Sequence, residues 1–135
     1  FAAVIKTFSP YAFILLIAAC YFQSPIIWRY MMDKYGKPKG VYYFGKNAKH
    51  GNNWFVSYQL QQMYTSFPFF ERVLKLIPGF YSAWLRLWGA DIGEKVNWTS
   101  GCEVVDRPHL TIGNRTLIGN HTYVSAHIIK KKNDK

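Results

Sequence analysis

Hydrophobic and polar positions change their rhythm three times along the chain, and each rhythm predicts a different element. Residues 11–22, YAFILLIAACYF, form an uninterrupted apolar run between Pro10 and Pro25. Twelve helical residues cover only about 18 Å, short of a hydrocarbon core of ~30 Å. Extending the run from Phe8 to Met32 reaches the length but takes in Gln23, Ser24 and Arg29. Three uses fit this pattern: a kinked or re-entrant membrane helix, an interfacial helix, or a core helix. Residues 35–52, YGKPKGVYYFGKNAKHGN, are rich in glycine, lysine and asparagine and read as a loop. Helical spacing then returns. Val56, Leu60, Met63 and Phe67 share one stripe. A second helix follows in SFPFFERVLKLIPG, with Ser66 as cap, Pro68 in the first turn and Glu71 near the positive end. A third, FYSAWLRLWG, aligns Tyr81, Trp84, Leu85 and Trp88 before stopping at Gly89. These three stripes either pack on the domain that follows or lie as an aromatic-rich ledge at a bilayer interface.

From Ile92 the period becomes six. Ile92, Trp98 and Val104 open one triplet of units, and Ile112, Ile118 and Val124 open another, with Leu110 and Thr111 inserted between them. Val96, Cys102, Thr116 and Thr122 are small or β-branched four residues into their units, while Pro108 and Ile128 break that sub-rule. Six suits neither a helix nor a flat strand. It suits a left-handed parallel β-helix, in which three units, about 18 residues, make one triangular turn around a core of stacked aliphatic side chains. Its corners favour positive φ, which Gly113-Asn114 and Gly119-Asn120 would supply. The expected fold class is therefore the start of such a prism, preceded by an α-helical, aromatic-rich, membrane-associated segment. The expected layout is a hydrophobic anchoring helix at 1–32, a basic loop at 33–53, amphipathic helices at 54–89, and first coils at 90–135 that continue beyond the sequence.

Composition adds weight to the membrane. The 135 residues are 50% hydrophobic and 19% aromatic, more than a small soluble fold needs, yet the net charge is +10. Basic residues gather at Lys34, Lys37, Lys39, Lys46 and Lys49, and again at Lys130, Lys131 and Lys132. No nucleic-acid-binding signature accompanies them, so an anionic membrane surface is the better partner. Cys20 and Cys102 lie in unlike contexts and read as buried thiols, not a disulfide or a metal site.

The stretch WLRLWGADIGEKV…DRPHLTIGNRTLIGNHTYVSAH resembles the start of a hexapeptide-repeat acyltransferase. The junction "LxxxGAxIG" is matched by Leu85, Gly89, Ala90, Ile92 and Gly93. The likeness covers about residues 80–129 and is strongest to the bacterial branch that acetylates cell-surface polysaccharides or lipid-linked products. It implies a homotrimer that takes acetyl-CoA or acyl-CoA between neighbouring prisms and passes the acyl group to a hydroxyl or amine of a glycan or lipid-linked acceptor. It also implies a histidine general base, no metal, and the cytoplasmic side of a bacterial inner membrane.

Imidazole suits that task because it titrates near neutrality and can accept a proton, then hand it to the leaving thiolate. His127 is the candidate, since it follows the last phased position, Val124, and opens onto the polar KKKNDK run. A corner histidine merely bonded to its neighbours is the plainer alternative. His121 reads as an outward corner residue, His109 precedes the insertion, and His50 lies in the basic loop. Lys130–Lys132 either meet CoA phosphates or form a solvated loop tip. The rival from another class is a non-catalytic scaffold or interaction module within a membrane-associated assembly.

Overall fold

Ser9 and Pro10 start the first helix: the serine hydroxyl accepts the Tyr11 N–H, and proline occupies the first helical position, where no N–H is needed. In the computed structural model, which describes residues 9–41 and 49–129 with the side chains of 49–52 excepted, this helix α1 spans Pro10–Tyr35. It is longer than the apolar run, and it continues through Pro25. Proline removes the N–H that the Tyr21 carbonyl would accept. The indole Nε1 of Trp84 donates to that carbonyl instead, at 2.9 Å. Gly36, at φ 78°, ends the helix and returns its N–H to Met32.

Three further helices follow among the described residues: α2 (Lys49–Ser66), α3 (Phe69–Lys75) and α4 (Phe80–Leu87). Helix α2 begins inside the segment expected to be loop, and Ser66 ends it instead of capping the next helix. The stripe of α4 is buried in full. Tyr81, Trp84, Leu85 and Trp88 pack with Trp28 of α1 and Tyr64 of α2 in the core, so the stripe is no bilayer ledge. Cys20 is half-buried and Cys102 buried, both as free thiols.

The left-handed β-helix expected from the six-residue period is not what the chain forms. The described residues build four helices and three separate two-stranded parallel sheets, with no closed or coiled solenoid. The strands are β1 (Asp91–Ile92), β2 (Asn97–Trp98), β3 (Glu103–Val104), β4 (Thr111–Ile112), β5 (Leu117–Ile118) and β6 (Tyr123–Val124). Each has one ladder partner: β1 with β4, β2 with β5, β3 with β6. Stacked repeats share a continuous core only when three or more neighbours bury one another. Two triplets give a single step, and the helices supply most of the core beside it. What the period encodes is pairing register: Ile92 faces Ile112, Trp98 faces Ile118, and Val104 faces Val124. Ile92 and Val104 are buried, while their partners in the second triplet are half-buried.

The corners also differ from expectation. Positive φ falls on Lys95, Asp106, Arg115 and His121, not on Gly113 or Gly119. The asparagines act across the step, Asn114 Oδ1 accepting the Glu94 N–H at 2.8 Å and Asn120 Oδ1 the Gly101 N–H at 3.0 Å. Close approach then demands glycine opposite them. A Cβ at Gly93 would lie 2.4 Å from Asn114 Oδ1 and 2.6 Å from the Asn114 backbone nitrogen, whereas one at Gly113 would meet nothing within 4 Å.

Two outcomes follow from this packing. Gly93→Ala should lower unfolding stability by about 1–3 kcal/mol, the usual cost of overpacking, while Gly113→Ala stays near neutral; denaturant melts of the two variants check the contrast. His109 carries the second. Its ring lies 6.2 Å from that of Trp28, and burial pushes the imidazole below its usual range, with Asp106 opposing and Lys37 and Lys39 assisting the shift. In the unfolded chain a histidine titrates at about 6.5, so below that pH the unfolded state holds the extra proton. Stability should therefore be fully present above about pH 6.5 and fall as the pH drops beneath it. His109→Phe should flatten that slope in the same melts.

Candidate functional site

The parallel pairing of β3 with β6 brings two chain segments out of the ladder side by side. Val105 donates its N–H to the Val124 carbonyl at 2.8 Å, and beyond that bond residue 106 lies against residues 125–127. Asp106 adopts the left-handed conformation, φ 59° and ψ 48°, which turns its side chain back across the step. The carboxylate oxygen Oδ2 accepts the Ala126 N–H at 3.2 Å and the Ser125 hydroxyl at 3.4 Å. It also accepts from the His127 ring nitrogen Nδ1 in a short, direct bond.

That bond sets the histidine's chemistry. A carboxylate only accepts, so Nδ1 carries the ring proton and Nε2 carries the lone pair. The Asp106 side chain is 2% exposed and the His127 side chain 27%, a buried anchor beneath a reachable ring. Trp54 of α2 packs edge-on against the imidazole, with centroids 5.0 Å apart, and stacks with Tyr58 at 5.8 Å. The ring is therefore held on two sides.

The turn that carries Asp106 is itself anchored. Its next residue, Arg107, is buried and pairs with buried Glu71 of α3. Gln61 of α2 accepts the Arg107 backbone N–H at 2.8 Å, and Tyr81 of α4 donates its hydroxyl to Glu71 at 3.0 Å. Three helices thus hold the turn Arg107–His109 in place. Burial, aided by Glu71, pushes the Tyr81 phenol well above its usual range, so the hydroxyl stays a donor.

The remaining histidines fall elsewhere. His121 is an exposed corner residue with φ 59°, and His109 is turned against Trp28. The His50 side chain, Lys46, the Lys49 side chain and Lys130–Lys132 lie outside the described residues. Of the basic cluster, Lys37 binds inward, donating to the Gly89 carbonyl at 2.6 Å, and burial lowers its pKa. No group of three or more potential metal ligands occurs among the described residues. A cavity of about 110 Å³ opens beside the ion pair, between α3 and the strand β3, and is lined by Tyr64, Arg72, Lys75, Cys102 and Tyr123 among others. It does not include His127.

Asp106 was the residue that sequence reasoning missed. Partners in the ladder are 20 positions apart, as in Val104 with Val124, and Asp106 stands one register step plus one residue before His127. The signal exists, but it becomes readable only once the register is known. Compared with protein-family models, curated proteins and solved structures, the chain matches none.

Proposed function

We propose that the chain carries the acid–base site of an acyltransferase, with His127 as general base. The reaction moves an acetyl or longer acyl group from CoA to a hydroxyl or amine of a glycan or lipid-linked acceptor. The observation that supports this reading is the His127–Asp106 pair: a reachable imidazole whose Nδ1 is bonded to a buried carboxylate. Nε2 takes the proton as the acceptor oxygen or nitrogen attacks the thioester carbonyl. The carbon–sulfur bond then breaks, and the imidazolium returns the proton to the CoA thiolate. Asp106 fixes the tautomer and stabilises the imidazolium between the two transfers.

Among the described residues one helix, α1, is long and apolar enough to cross a membrane. In this reading it holds the site at the cytoplasmic face of a bacterial inner membrane, where acyl-CoA and a lipid-linked acceptor meet. The reading rests on the paired side chains and the sequence resemblance, a homotrimer included; the described residues form no prism of the kind between which that family takes acyl-CoA.

Release of CoA thiol from acetyl-CoA in the presence of pyranoside acceptors tests it. His127→Ala should lower turnover by at least ~100-fold with the fold intact. Asp106→Asn should lower it by about 10²–10⁴, because an amide nitrogen facing Nδ1 favours the wrong tautomer. Near-normal turnover in His127→Ala removes the assignment. Absence of acetyl-CoA binding by calorimetry would leave the scaffold reading, a module within a membrane assembly.

A further inference from the structure

Exposed apolar side chains flank the short helix α3. Phe67 and Phe69 lie at its start, Leu76 and Ile77 just beyond its end, and Phe80 at the start of α4, between 46% and 75% accessible. Phe69 and Leu76 are seven residues apart, two helical turns, and so share one side. The Phe70 N–H bonds the Phe67 carbonyl and the Phe80 N–H bonds that of Ile77, so both tips are folded turns with defined places. Between them stands Arg72, an exposed long cation whose stem can lie along apolar surface while its head reaches phosphate.

This ridge adjoins α1 at a particular level. The Tyr21 hydroxyl donates to the Phe70 carbonyl at 3.0 Å, and the two rings meet edge-on at 5.6 Å. Below that level one side of α1 packs on the domain, with Pro25 and Trp28 buried and Arg29 bonded to the Arg86 carbonyl, while Phe22, Ile26, Ile27 and Tyr30 stay exposed on the other. Above it the helix stands bare: Tyr11, Phe13, Ile14, Leu15, Leu16 and Ile17 are all exposed. The twelve residues from Pro10 to Tyr21 rise about 17 Å. Half a hydrocarbon core is about 15 Å. A bilayer surface set at Tyr21 therefore takes in α1 from that level up to Pro10, as far as the midplane, and Phe69 is the chain neighbour of Phe70, which meets Tyr21 there.

We infer that the ridge Phe67–Phe69–Leu76–Ile77–Phe80 is a second membrane contact, lying in the lipid interface beside α1. The occupant is bilayer lipid. The reason is continuity: the ridge adjoins the exposed apolar helix at Tyr21, so lipid around that helix also meets the ridge. Two contacts fix what one helix cannot, since a single helix leaves the domain free to rotate about its axis, and an in-plane foot removes that freedom. The inference stands independently of acyl transfer.

An environment-sensitive fluorescent amino acid placed at Phe69, Leu76 or, as reference, Leu117 tests it in the full chain. Leu117 is 69% exposed on β5, away from α3. With the protein in vesicles of phosphatidylcholine and phosphatidylglycerol, nitroxide-labelled lipid should quench the probes at 69 and 76 several-fold more than the one at 117. Aqueous iodide should show the reverse order. Equal iodide quenching at all three positions overturns the inference. So does shielding at 69 and 76 that depends on protein density in the vesicle and not on the lipid quencher, since a second copy would then cover the ridge.

Discussion

A buried ion pair, Arg107 with Glu71, fixes how the helices meet the stranded half of this protein, beside the apolar core the two share. Both side chains are almost wholly removed from water. Such a pair gains little net stability over apolar packing, because desolvation offsets most of the attraction. Removing one partner is another matter, costing about 3–5 kcal/mol as the other charge is left uncompensated. The pair is consequently a constraint on geometry more than a source of stability. Here its neighbours make it specific. The guanidinium lies over the rings of Tyr64 and Trp84, at 5.6 and 6.0 Å, while Gln61 accepts from it and from its backbone N–H. Gln61 is itself held by Ser57.

That constraint and the β3–β6 ladder together position the candidate site. With Arg107 locked under three helices, Asp106 has one place to go, and that place is below residues 125–127 of the neighbouring chain segment. The left-handed backbone at Asp106 is a conformation that asparagine and aspartate tolerate better than most residues. His127 then receives an oriented carboxylate from one side and the edge of Trp54 from the other. The membrane-facing elements join the same body. Tyr64 and Trp84, which cover Arg107, also donate to the Cys20 and Tyr21 carbonyls of α1. Anchor and site are therefore one packed unit, joined through two aromatic side chains.

Local patterns were legible in the sequence and long-range chemistry was not. The stripe Tyr81, Trp84, Leu85 and Trp88 was visible because helical periodicity is local, and all four residues are core. The six-residue period located all six strands, since each strand sits at the first position of a unit. The inference from that period to a left-handed β-helix failed because a period reports register and not how many layers stack. Helix α1 runs through Pro25, and what the sequence did not show is that the freed carbonyl finds an indole 63 residues away. Glu71 read as a favourable charge near a helix start, yet its partner is 36 residues distant and no spacing rule connects them. His127 stood out by its place after the last repeat position. Its partner Asp106 could be found only through the 20-residue register that the fold supplies.

The proton on His127 Nδ1 reports on the whole chain of constraint, from the Arg107–Glu71 pair through Asp106 to the imidazole. In nitrogen-15 histidine NMR of the intact protein, a hydrogen-bonded, downfield Nδ1–H should be present at neutral pH. Glu71→Gln, which alters a residue that does not touch His127, should abolish that resonance while circular dichroism shows the helices retained. An unchanged Nδ1–H signal in Glu71→Gln would contradict the account, because the Asp106–His127 bond would then not depend on the ion pair beside it.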